Sequence, residues 1–175
     1  MSRRPLGSWL FGKLPALGDF ISRGIDFTFR DLLDHWLTVE LEAARAHFGE
    51  EFEQRYLTAP AWCFIDCDPQ GQWCGGAMCA SVDAPGRKFP VIAGTAANDA
   101  GEAARLAGGC LEVLYEALAG NWDADRLHTS EIAAVGLAWQ PEVPCWSLIG
   151  EDGATVELPG RFPHGVIIQM LEFAA

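Results

Sequence analysis

From Phe29 to Ala44 the apolar residues Phe29, Leu32, Leu33, Trp36, Leu37 and Ala44 recur at the three- and four-residue steps of an α-helix. Between residues 61 and 94 the apolar runs are instead short and cut by tight turns, which is the signature of strands. A chain carrying both periods must lay amphipathic helices against a sheet. The helix is expected to start near Thr28. Thr28 with Asp31 fits a capping box, and Phe27 with Leu32 fits the flanking hydrophobic staple. Glu40, Glu42, Arg45 and Glu50 are expected to lie toward water.

Residues 8–13 read as a first strand leading into a glycine-punctuated loop, residues 18–24. Residues 61–66 and 73–82 read as strands joined by the turn Asp68-Pro69-Gln70-Gly71, and Pro85-Gly86 turns the chain into a third strand over 89–94. Connections this short favour an antiparallel meander. Asn98 is placed to cap a second helix running to about Leu118, with Leu106, Ala107, Cys110, Leu111, Leu114, Tyr115 and Leu118 as its apolar face and Gly120-Asn121 as its stop. Residues 123–139 suggest a shorter helix followed by a loop. Residues 145–148 and 154–158 can pair as strands around Glu151-Asp152-Gly153, and Val166, Ile167, Met170 and Leu171 recur at helical spacing in the tail, whose β-branched residues leave a strand open as well. No repeat or interdomain linker interrupts residues 1–175, so one α/β domain with helices packed on a central sheet is expected.

Charge excludes several partners. Twelve Lys and Arg against 24 Asp and Glu leave a net charge of −12. Residues 1–88 hold 9 basic and 12 acidic groups (−3), whereas residues 89–175 hold 3 and 12 (−9). Nucleic-acid affinity comes chiefly from Lys and Arg on phosphates, and this chain has two lysines. Such a surface repels nucleic acid and anionic lipid and suits a basic protein partner. No apolar run reaches the ~18 residues that a bilayer span needs. The basic start Met1-Ser2-Arg3-Arg4-Pro5 is followed by no secretory apolar region before Gly12, Lys13 and Asp19, so a cytoplasmic chain without membrane insertion is expected.

Cys63, Cys67, Cys74, Cys79, Cys110 and Cys145 lack the C-x₂-C spacing of structural zinc sites, and most fall in strand-like segments, where a thiol behaves as a small hydrophobe. His35, His47, His128 and His164 are scattered. Nucleotide-binding glycine motifs, the nucleophile elbow and H-E-x-x-H are absent. No catalytic residue, cofactor or metal is therefore expected. Seven tryptophans leave aromatic surface for a homo-oligomer.

Two glycine-containing segments gather oriented charge: Gly18-Asp19-Phe20-Ile21-Ser22-Arg23-Gly24 and Ser81-Val82-Asp83-Ala84-Pro85-Gly86-Arg87-Lys88-Phe89-Pro90. Each contains Asp-x-x-x-Arg. In one reading each carboxylate ties down its own turn and pairs with its arginine. In the other the loops meet and present Asp19, Arg23, Ser81, Asp83 and Arg87 to an acidic ligand or a partner. A pocket formed by these same loops would suit a small-ligand sensor or an enzyme with one Asp as general base.

The chain resembles the type VI secretion system-associated TagF (ImpM) family. The likeness runs through Phe11-Gly12-Lys13-Leu14-Pro15, the 18–24 segment, Phe29, Asp34-His35-Trp36-Leu37, Tyr56-Leu57-Thr58-Ala59-Pro60-Ala61-Trp62, Ser81-Val82-Asp83, Gly86-Arg87 and Phe89-Pro90. These motifs arrive in family order over about residues 10–90, with a weaker likeness beyond. Pro85 departs from the apolar residue expected there. The resemblance implies a three-layer fold of helices around a mixed, largely antiparallel sheet. It also implies a non-enzymatic cytoplasmic accessory protein that represses type VI secretion after translation by binding a forkhead-associated-domain scaffold protein.

Overall fold

The structure is a computed structural model that describes residues 7–136, 138–150 and 153–174. The basic start at residues 1–5 and the turn residues Glu151 and Asp152 lie outside the described residues. Seven strands form one sheet: β1 (Trp9–Gly12), β2 (Ile21–Arg23), β3 (Ala61–Cys67), β4 (Trp73–Cys79), β5 (Val91–Ala97), β6 (Cys145–Gly150) and β7 (Gly153–Pro159). Their order is β2-β1-β5-β4-β3-β6-β7, and every neighbouring pair is antiparallel. The expected meander is β3-β4-β5. The 18–24 segment is not wholly a loop, because β2 pairs with β1 as the sheet's edge.

Among the described residues there are five α-helices: α1 (Phe27–Phe48), α2 (Phe52–Leu57), α3 (Ala100–Ala119), α4 (Ala124–Thr129) and α5 (Val166–Glu172). Side chains alternate across the sheet with the two-residue period of a strand. Trp9, Phe11, Trp62, Phe64, Met78, Ile92, Trp146 and Leu148 face α1, α2 and α5. Leu10, Ala61, Cys63, Ile65, Ala77, Cys79, Val91 and Ala93 face α3 and α4. The result is three layers, α/β/α, with one core on each face of the sheet.

The two cores are built differently. On the α3 face small residues bring helix and sheet almost backbone to backbone. A Cβ at Gly75 of β4 would lie 1.9 Å from the Ala103 carbonyl oxygen, and on α3 one at Gly109 would lie 1.9 Å from the carbonyl oxygen of Ala133 in the loop that follows α4. On the other face aromatic rings fill the gap. The rings of Phe64 and Trp146 stack at 4.4 Å, and Trp36 meets Trp146 edge-on at 5.3 Å. Trp9, Trp36, Trp62, Trp139 and Trp146 are all buried. The aromatic surface expected to serve a homo-oligomer is thus largely spent inside.

Polar groups also strap the tail onto this aromatic core. The indole N–H groups of Trp146, Trp36 and Trp62 donate to the carbonyls of Arg161 (3.2 Å), Pro163 (3.2 Å) and Val166 (3.0 Å). Glu40, expected at the surface, is buried, and its carboxylate accepts from the Gly165 amide at 2.7 Å. A helix-surface pattern cannot reveal that a carboxylate has a buried backbone donor to satisfy.

Several boundaries move for local reasons. α1 is capped by Asp26, whose carboxylate accepts from the Phe29 amide at 2.8 Å, not by Thr28. Phe27 is 76% exposed and Leu32 is exposed as well, so the staple does not form and Leu32 leaves the buried stripe. Asp99, not Asn98, caps α3, while the Asn98 amide donates back to Glu102. Tyr115 is half-exposed and so lies off that helix's buried face. β4 ends at Cys79 and β5 starts only at Val91, because residues 80–90 leave the sheet to form a separate hairpin tip.

The close approach of α3 makes Gly75 a sensitive position. Gly75→Ala is expected to lower unfolding free energy by about 1–3 kcal/mol, the usual cost of overpacking. Urea denaturation checks this, and unchanged stability would contradict the close packing of α3 on β4.

Candidate functional site

The hairpin tip, residues 81–89, is organised by one carboxylate. Asp83 Oδ1 accepts from the Arg87 amide at 2.7 Å, and Oδ2 accepts from Lys13 Nζ at 2.9 Å and Arg87 Nε at 2.7 Å. The Asp83 side chain is wholly buried, Lys13 is 9% exposed and Arg87 is 62% exposed. Burial pushes the Asp83 carboxyl up. Hydrogen bonds from the Lys13 ammonium and from the Arg87 amide and guanidinium outweigh that, and its pKa is lowered to about 2.

Glycine makes the arrangement possible. Gly12 has φ 130°, and a Cβ there would lie 2.0 Å from the Pro90 carbonyl oxygen. That contact lets the end of β1 run against residue 90 and deliver Lys13 beneath the tip. The tip is then clamped from three directions. Ala84 N–H donates to the Leu17 carbonyl at 2.7 Å, and the far nitrogen of Arg87 donates to that of Gly18 at 2.8 Å. Ser81 Oγ donates to the Lys13 carbonyl at 2.7 Å. From α2, the Tyr56 hydroxyl donates to the Ser81 carbonyl (2.9 Å) and accepts from the Ser81 amide (3.1 Å). Burial raises the Tyr56 phenol well above its ordinary range. Lys88 pairs with Glu53, and its hydrogen bond holds that carboxyl below its usual value. Phe20, half-exposed, covers the assembly edge-on to Phe89 at 4.8 Å, with Lys13 Nζ 4.8 Å from its ring centre.

The two Asp-x-x-x-Arg segments are therefore not equivalent. Asp83 and Arg87 form the self-contained turn that spacing suggests. Arg23 turns instead to α4, where its Nε donates to Asp125 at 2.9 Å, while Asp19 is exposed beside Gly18. The loops do meet, through residues 17 and 18 against 84 and 87, and Arg23 takes no part in that meeting. An adjoining groove of about 230 Å³ includes Ser81 in its lining but none of Asp19, Arg23, Asp83 and Arg87.

Lys13 and Tyr56 were not singled out from the sequence as parts of the site, and Phe20 and Lys88, though inside the two charged segments, were not among the candidate residues. Lys13 and Lys88 are the chain's two lysines, which is the one composition signal that could have drawn attention to them. The six cysteines are unbridged. Burial pushes the Cys63 thiol up to about 12 and Cys145 to about 11, and raises Cys110 well above its ordinary value. These are inert core thiols. Among the described residues no three His, Cys, Asp or Glu side chains are grouped to hold a metal ion.

A family model described as the TagF N-terminal domain, type VI secretion system-associated, matches residues 9–130. That span begins with β1, contains the whole loop assembly, and reaches well beyond Pro90, where the sequence likeness weakened. Among solved structures, PA0076 from Pseudomonas aeruginosa PAO1 superposes with a TM-score of 0.59 at 24% identity, over 94% of this chain and 76% of that one. At that identity the likeness speaks for the fold. No curated protein matches.

The depressed Asp83 pKa gives a signed expectation. A carboxyl at about 2 when folded and about 3.9 when unfolded contributes stability above pH 4 that is lost as pH falls toward 2. Asp83→Asn is expected to lower Tm at pH 7, because Lys13 loses its buried counter-charge, and to flatten the fall of Tm below pH 4. Thermal unfolding of both proteins from pH 7 to pH 2.5 checks this. Parallel curves would mean that Asp83 is not the linked group.

Proposed function

The chain belongs to the TagF N-terminal-domain family associated with type VI secretion, and from that premise we propose that it is a regulatory binding protein. It acts in the cytoplasm as a post-translational repressor of secretion, by occupying a forkhead-associated-domain scaffold protein. Occupancy suffices for such a role. A repressor that binds the assembly-incompetent state of its scaffold more tightly than the competent one shifts the population without any chemistry.

The interlocked loop assembly carries this reading. Its charges are spent on one another: Asp83 holds Lys13 and Arg87, and Glu53 holds Lys88. What it offers outward is a rigid, mixed-charge tip with Asp19 exposed, Arg87 largely exposed and the Phe20 ring half-exposed. Pre-organised donors of this kind lower the ordering cost of association. Among the described residues no helix is long and apolar enough to cross a membrane. The acidic half of the chain, residues 89–175, adds long-range attraction for a basic partner.

Calorimetric titration against the forkhead-associated-domain protein of the same secretion cluster, at two salt concentrations, tests the proposal. Saturable binding that weakens at higher salt is expected. Arg87→Gln should weaken it about tenfold while Tm falls by only a few degrees, since Arg87 reaches both the tip surface and Gly18. No binding at either salt concentration would overturn direct scaffold occupancy.

A further inference from the structure

The end of the sheet beside the loop assembly is open. The groove there, about 230 Å³, has β3 and β4 as its floor at Ala61 and Cys79, α2 as one wall through Tyr56 and Leu57, and α3 as the other through Tyr115 and Leu118. It exists because Ala59, Ala61 and Ala80 stop at Cβ where larger side chains would fill it. Leu57 is 73% exposed and Tyr115 48% exposed, an arrangement that hides neither apolar side chain although the groove lies between them. Large apolar residues left at the rim of a concave apolar surface are what a partner's anchor would cover.

Three of the segments that carry the family resemblance converge on this groove: Pro15 from the first, Tyr56 to Ala61 from the second, Ser81 and Val82 from the third. It is therefore continuous with the loop assembly, sharing Ser81 with it. The charge around it is one-sided. Lys13 and Arg87 are held by Asp83, Lys88 by Glu53, and Arg55 by Glu51. Glu112 lies one helical turn before Tyr115 and Glu116 directly follows it. Both are exposed, and neither makes an ion pair among the described residues. A basic flank on the incoming segment would satisfy these carboxylates.

We propose that the groove between α2 and α3 at the open sheet end is a docking site for a protein partner's apolar side chain flanked by Lys or Arg. The inference rests on the binding-protein reading above and names the contact surface that such binding uses. The apolar side chain settles over Ala61 and Cys79 between Leu57 and Tyr115, and the flanking cation faces Glu112 and Glu116. Apolar burial supplies affinity; the acidic rim selects the sign of the partner.

Two probes make this testable apart from the scaffold. Fluorescence anisotropy is measured with a short fluorescein-labelled peptide of leucine and lysine, and with its leucine and glutamate counterpart. The basic peptide should bind saturably and the acidic one should not. The double variant Leu57→Ser with Tyr115→Ser should weaken the basic peptide about tenfold, and Glu112→Gln with Glu116→Gln should weaken it about fivefold. All four positions are exposed, so Tm should hold. Equal binding by wild type and the Leu57/Tyr115 variant would overturn the groove. So would light scattering that shows a wild-type dimer which this variant converts to monomer, because a second copy would then fill the groove. The scaffold protein is titrated in parallel. Scaffold binding that ignores the groove variants overturns the groove and leaves the regulator standing. A groove-dependent peptide signal without scaffold binding supports the groove and removes the scaffold as partner.

Discussion

The Asp83 carboxylate sits where three separately coded stretches of chain must agree. It draws Lys13 inward from the end of β1, closes its own turn onto Arg87, and through Arg87 fixes the carbonyl of Gly18. A buried charge is tolerated only when its lone pairs are filled, and here two cations and an amide fill them. The second cation matters for the surface. Because Asp83 anchors Arg87 through Nε, the remainder of that guanidinium is held at the tip instead of ranging over the rotamers of a free arginine. The electrostatics that stabilise the fold thus also define what the tip displays.

Around that anchor the sheet separates two kinds of packing. On the α3 side, Gly75, Ala77, Ala103 and Ala107 let backbones approach closely, and Cys63, Cys79, Cys110 and Cys145 fill small gaps as weakly polar hydrophobes. On the α1 side, large rings do the filling and their N–H groups reach out to hold the tail. Neither solution seals the end of the sheet where α2 and α3 come level from opposite faces. There Ala59, Ala61 and Ala80 lie among larger side chains, and the groove is the volume they leave. A packed interior and an open apolar notch arise from the same economy of side-chain volume.

The site's charge pattern follows from how few lysines the chain has. Both are paired around the hairpin tip, Lys13 with the buried Asp83 and Lys88 with the exposed Glu53, so a strongly acidic molecule spends its lysines on internal cohesion. Glu112 and Glu116 of α3, exposed and in no ion pair among the described residues, then remain for an approaching cation. Type VI association enters through the family domain at residues 9–130, which contains both the anchor and the groove walls.

Local patterns in the sequence were sufficient for most of the elements, but not for β2, read as loop, or for α2, which was not expected. The 3.6-residue stripe of α1, the turn at residues 68–71 and the helical spacing of Val166, Ile167, Met170 and Leu171 each reflect interactions within a few residues, so they can be read from a linear string. The self-contained Asp83–Arg87 turn is legible for the same reason, and the ordered family motifs pointed to TagF. Glu40 shows where that reading stops: its helix position predicts solvent, yet its partner is an amide 125 residues away in sequence. Arg23 repeats the lesson, because identical spacing to Arg87 leaves it paired with Asp125 once β2 joins the sheet edge. Lys13 beneath Asp83, Tyr56 against Ser81 and the groove between α2 and α3 were settled only by the tertiary structure. A buried polar group takes whichever partner the fold brings within about 3 Å, and a groove exists only where the fold leaves two surfaces unfilled.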